Sequence, residues 1–135
     1  MVIDEKRLIE EARAAKQGCH APYSKVHVGA ALLLSNGEIV RGANVENASY
    51  GLTVCAERAA IFAAVNAHGK QKFEAIAVTV ELPDPKATPG PRELSPCGAC
   101  RQVMAEFMDD DALVIVDGSR TYTLGELLPD AFRLG

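Results

Sequence analysis

The chain has no tryptophan, and its aromatic content is only three tyrosines and four phenylalanines. It has no excess of positive charge: 14 Lys and Arg against 18 Asp and Glu leave a net charge of −4. A polynucleotide partner wants a basic face interleaved with stacking rings, and this sequence supplies neither. Nucleic acid is therefore excluded as the main partner. No run approaches the roughly 18 consecutive apolar residues that would span a bilayer, so no membrane partner is expected. Residues Met1 to Gly18 are charged and lack the apolar core of a secretory signal. A cytoplasmic protein follows. In a reducing compartment the four cysteines read as metal or redox ligands, not as disulfides.

What is present suits one globular domain over residues 1–135. Hydrophobic residues make up 48% of the sequence, enough for a core. No repeat, linker or low-complexity stretch divides it. Asp4 to Lys16 carries Leu8, Ile9, Ala12 and Ala15 at helical spacing and ends near Gly18. Val26 to Leu34 is a strand-length apolar run, Ser35-Asn36-Gly37 a turn, and Glu38 to Ala43 the second arm of a hairpin. Asn44 to Leu52 is rich in Asn, Ser and Gly and reads as a loop. Val54 to His68 is a helix stopped at Gly69. Phe73 to Glu81 is a β-branched interior strand. Leu82 to Ser95 holds four of the seven prolines and reads as a long loop. A helix over Cys97 to Met108, a strand over Ala112 to Val116, a weaker strand over Thr121 to Leu124 and a short helix over Gly125 to Leu128 complete an α/β pattern.

The chemistry lies in Cys55-Ala56-Glu57 and Ser95-Pro96-Cys97-Gly98-Ala99-Cys100. Both motifs fall where a loop becomes a helix. Unpaired N–H groups and the positive end of the helix dipole stabilise thiolates there. Cys97 and Cys100 share one helical face, and Cys55 joins them if the two helices lie side by side. Zinc takes four ligands, so three thiolates leave one position for water. A carboxylate beside that water, Glu57, turns a structural-looking cluster into a hydrolytic one. Arg58 would donate to the sulfurs and offset their charge. Two other readings stay open. A zinc-stabilised binding module needs a fourth ligand, for which Cys19 and His20 are the candidates. A redox pair would leave Cys55 and Glu57 without a role. His20, His27 and His68 are assigned no chemistry.

The chain resembles the small, homotetrameric, zinc-dependent cytidine deaminases along most of its length. The resemblance rests on Ala21 to Lys25, Val28 to Leu32, Asn44 to Tyr50 and Cys55 to Ala60. Ser95 to Gln102 and Leu127 to Phe132 continue it. Zinc deaminases carry this signature, with a glutamate that shuttles protons without binding the metal. The resemblance implies a three-layer α-β-α sandwich around a mixed five-stranded sheet. It also implies hydrolysis of cytidine and deoxycytidine to uridine and deoxyuridine with release of ammonia, as in pyrimidine salvage. Cys55, Cys97 and Cys100 would bind Zn2+, and Glu57 would be catalytic. Asn44 and Glu46 would meet the ribose hydroxyls, and the Ala56 backbone would meet the pyrimidine. Tyr50 and Phe132 would help build a neighbouring subunit's site in a homotetramer. Val26 stands where the family usually has an aromatic ring, which leaves room for another base or sugar. The Pro-rich 82–94 segment is longer than usual and lies just before the second zinc motif. An aminohydrolase acting on a modified cytosine nucleoside of the blasticidin-S type shares the same cysteine motifs.

Overall fold

The computed structural model describes residues 2–135. Five strands form one mixed sheet in the order β2-β1-β3-β4-β5. They are β1 (His27–Leu34), β2 (Ile39–Ala43), β3 (Phe73–Glu81), β4 (Leu113–Val116) and β5 (Thr121–Thr123). The helices are α1 (Glu5–Ala15), α2 (Ala56–His68), the short α3 (Pro91–Leu94), α4 (Gly98–Phe107) and the short α5 (Leu124–Leu127). The β1–β2 hairpin turns through Gly37, whose φ of 89° a side chain would resist. β3 and β4 are parallel, and every other neighbouring pair is antiparallel.

Alternation along the strands sends side chains to two separate cores. Ala31, Leu33, Ala75, Ala77 and Ile115 pack with Leu8 and Ala12 of α1. Their neighbours Ala30, Leu32, Ile76, Val78 and Val114 pack with Ile61 of α2 and Met104 of α4. One helix on one face and two on the other give the expected α-β-α layering. Two glycines set how closely the layers approach. A Cβ on Gly29 would stand 2.0 Å from the Ala12 carbonyl of α1. A Cβ on Gly42 would stand 2.4 Å from the Ala60 nitrogen of α2, on the opposite face.

Several element ends differ from the sequence pattern by a residue or two, and three differences bear on the site. α2 starts at Ala56 rather than Val54, because Val54 exchanges backbone hydrogen bonds with Val45 at 2.9 Å. α4 likewise starts one residue after Cys97. The Pro-rich stretch is not all loop: Pro91 opens α3, and the Gly90 N–H donates to the Glu93 carboxylate at its start. No described helix is long and apolar enough to cross a membrane.

Topology gathers chain ends at one edge of the sheet. β1 enters there, while β2 and β3 leave there. α2 runs back antiparallel to β3, so it starts at that edge, and so does α4. In sheets with a parallel pair, the carboxyl ends of the strands are where loops can build a site.

Candidate active site

Cys55 and Cys97 are the N-caps of α2 and α4, with extended backbone (φ −71°, ψ 155° and φ −67°, ψ 166°). Neither sulfur is spent on capping its helix. The two thiols therefore sit at the positive ends of two helices, free to face each other. Their Sγ atoms are 3.9 Å apart, and Cys97 Sγ lies 3.5 Å from Cys100 Sγ, one turn into α4. All three sulfurs lie within 4.8 Å of one another, a spacing that can hold one metal ion. Among the described residues no carboxylate, histidine or further cysteine joins that set. Cys19 stands outside it as a free, half-buried thiol, so the fourth-ligand candidate is not brought in. His20 also lies outside the set. Its backbone N–H donates to the Asn44 carbonyl.

Charge within the cluster is distributed unevenly. The Cys55 thiol is pulled down to about 5, chiefly by the neighbouring Cys100 and then by Arg58, whose Nη2 donates to Cys55 Sγ at 3.3 Å. Cys100, fully buried beside Cys55 and Glu57, is pushed well above the ordinary thiol range. Arg58 is correspondingly held more firmly protonated by Cys55. Its Nε is buried without a partner. Glu57, in the first turn of α2, is only 4% exposed. Burial pushes its carboxyl up to about 7, and the neighbouring Cys55 charge adds to the rise.

These groups face a cavity of about 260 Å3 lined by Cys55, Ala56, Glu57 and Cys97 at the end that carries the thiols. Asn44 and Glu46, just past the end of β2, line it as well. Asn44 is a buried clamp: its Oδ1 accepts from the Val28 N–H at 2.9 Å and its Nδ2 donates to the Val26 carbonyl at 2.8 Å. Glu46 Oε1 accepts from the Tyr23 and Ser24 N–H groups at 3.1 Å, while its other oxygen accepts from the Ser24 hydroxyl. These bonds hold the carboxyl below the usual carboxylate range, the Ser24 hydroxyl contributing most. Val26, Val28, Val78 and Val80 form the apolar side. Val78 and Val80 had no sequence signal, because only strand register places them there. Glu93 and Leu94 line the opening from α3. Tyr50 and Phe132 do not reach the cavity. Tyr50 is 70% exposed beside Tyr23, and Phe132 is 68% exposed, its carbonyl accepting from Gln102 Nε2 at 2.9 Å. A larger depression of about 700 Å3 between residues 70–72 and the C-terminal residues holds no thiol and is remote from this chemistry.

Residues 2–116 match the family described as the cytidine and deoxycytidylate deaminase zinc-binding region. The chain belongs to this deaminase family. It is 46% identical to a cytidine deaminase of Halalkalibacterium halodurans, over 96% of this chain and 95% of that one. The fold of this family member superposes on the crystal structure of a cytidine deaminase from Burkholderia pseudomallei with a TM-score of 0.82. That match has 46% identity and covers 96% of this chain and 100% of the other. A blasticidin-S deaminase of Bacillus cereus is more distant, 32% identical over 78% of this chain and 76% of its own.

Proposed function

We propose that the chain is a zinc-dependent cytidine deaminase that hydrolyses cytidine and deoxycytidine to uridine and deoxyuridine with release of ammonia. The observation that carries this reading is the three-sulfur cluster beside a buried glutamate, at the end of a nucleoside-sized cavity. Tetrahedral zinc with Zn–S bonds of about 2.3 Å spaces its sulfurs about 3.8 Å apart. The observed 3.9 and 3.5 Å bracket that spacing. Cys55, Cys97 and Cys100 would thus hold zinc, with Arg58 offsetting the thiolate charge. Bound zinc supplies the Lewis acidity that makes a water nucleophilic near neutral pH.

In this reading Glu57 would move both protons of the attacking water. It delivers the first to ring N3, which makes C4 electrophilic as the C4–O bond forms. It delivers the second to the exocyclic amine, the C4–N bond breaks, and ammonia leaves while the oxygen remains as the C4 carbonyl. A carboxyl poised near 7 suits both directions of transfer. The Ala56 backbone would face the pyrimidine. Asn44 keeps one Nδ2 proton and one Oδ1 lone pair beyond its clamp, enough to meet a ribose hydroxyl. Glu46 retains acceptor capacity for a second. The buried Asn44 amide, left unpaired by a substrate lacking the matching hydroxyl, would discriminate sharply against it.

Exposed Tyr50, Leu52 and Phe132 support a homotetramer in which Tyr50 and Phe132 complete a neighbour's site. Residues 1–135 would act as one domain, and the reduced thiols suit cytoplasmic pyrimidine salvage. Ammonia release from cytidine, deoxycytidine and blasticidin S by protein with one zinc per chain tests the whole reading. Rapid turnover of the first two is expected. Turnover of blasticidin S alone, or of none, overturns it.

A further inference from the structure

We propose that Glu93 is a specificity-determining residue which makes this pocket favour nucleosides bearing a cationic substituent. The inference builds on the deaminase reading and extends it to substrate charge. Glu93 comes from the Pro-rich segment between β3 and α4, yet its position is fixed. Pro91 sets the entry to α3, the Gly90 N–H donates to Glu93 Oε2 at 2.9 Å, and the next residue, Leu94, is 5% exposed in the main core. A fixed corner therefore places Glu93 in the lining of the cavity.

The other two carboxyl groups there are committed. Glu46 is held by Tyr23 and Ser24, and Glu57 is buried beside the thiols. Among the described residues, Glu93 Oε1 has no hydrogen-bond partner, and Glu93 is in no ion pair. No lysine, arginine or histidine lines the cavity. A protonated amine on the nucleoside thus finds one exposed carboxylate with a free oxygen and no cationic partner, whereas a phosphate finds acidic walls and no counter-charge.

The test uses the full-length, zinc-loaded chain and two matched pairs of ligands. Cytidine is compared with 5′-amino-5′-deoxycytidine, and 5-methylcytidine with 5-(aminomethyl)cytidine. Ammonia release is followed for each, and affinity is taken as KM where a ligand turns over and as equilibrium Kd where it does not. At least one amine should bind about tenfold more tightly than its neutral counterpart at low ionic strength, with the advantage shrinking at high salt. In Glu93→Gln that advantage should fall to about unity. Equal binding of both pairs by the wild type overturns the inference. So does a preference that survives Glu93→Gln, which would assign the charge selection to Glu46. Absence of ammonia from cytidine in the wild type would instead overturn the deaminase reading, while the Kd ratios still decide the role of Glu93.

Discussion

Replacing Glu57 by glutamine removes the proton carrier while keeping the volume and polarity of the side chain. Glu57 is 4% exposed, so no solvent proton donor stands in for it at the cavity end. A positioned acid or base contributes about 10² to 10⁴ per proton transfer. In the proposed reaction Glu57 serves two transfers, and these act on one reaction path, so their losses do not simply multiply. The expected fall in kcat is about 10³ to 10⁶. The zinc site lies in the three sulfurs and not in this carboxyl, so metal content should stay at one per chain. Burial raises the Glu57 carboxyl from 4.5 to about 7, so its ionisation costs the fold stability as pH rises through that window, in full above about 7. The neutral amide carries no such penalty, and the metal-stripped variant should melt no lower than metal-stripped wild type at pH 8. The assay is steady-state ammonia release together with zinc analysis and thermal melts. A loss smaller than about 10² with zinc intact would remove Glu57 from the proposed role. A loss of zinc in parallel would make it a ligand instead.

Arg58→Gln takes a guanidinium away from Cys55 Sγ, 3.3 Å distant, and should weaken zinc retention about tenfold in a chelator competition. Gly42→Ala pushes a methyl to 2.4 Å from the Ala60 nitrogen, where backbone cannot give way; a loss of about 3 kcal/mol or more is expected in denaturant unfolding. Asp117 accepts from Arg13 Nε and Nη2 at 2.8 and 2.9 Å and from Thr79 Oγ1 at 2.8 Å, with Arg13 doing most to hold its carboxyl below the ordinary value of 3.8. A carboxyl lowered in the fold stabilises it above its unfolded value and loses that contribution as pH falls toward the folded one. The melting difference between wild type and Arg13→Gln should therefore be full at pH 6 and shrink below about pH 4; a difference unchanged at low pH would assign the effect to packing.

Local pattern carried most of the architecture. The β1–β2 hairpin, the interior strand Phe73–Glu81 and the helix ended by Gly69 lie where alternation, β-branching and turn chemistry place them. α3 was hidden because four nearby prolines signal a loop, although Pro91 in the first turn and Glu93 as its cap are compatible with a helix. In the site, the cysteine spacing marked the three thiols that the fold brings together at two helix starts. The cavity walls behaved differently. Val78, Val80 and Val28 look like any strand valine, and only the antiparallel register of β1 with β3, which sets Val28 against Val80, brings them to one edge. Asn44 reads as a turn residue, and its clamp on Val26 and Val28 depends on where β2 ends.

The same short stretch of α2 asks opposite things of two ionisable groups, and helix geometry meets both demands. Cys55, as the N-cap, has extended backbone, meets Arg58 and Cys97 outside the helix end, and is drawn toward the thiolate. Two residues later Glu57 is inside the first turn and packed against the sheet, where burial outweighs Arg58 and keeps the proton available near neutrality. Had α2 begun at Val54, Cys55 would have lain within the helix and its sulfur would have been turned away from Cys97. The Val45–Val54 bridge, by delaying the helix two residues, is what sets the thiol and the carboxyl in separate environments. That places the origin of the site's chemistry in the loop before α2 as much as in the motif itself.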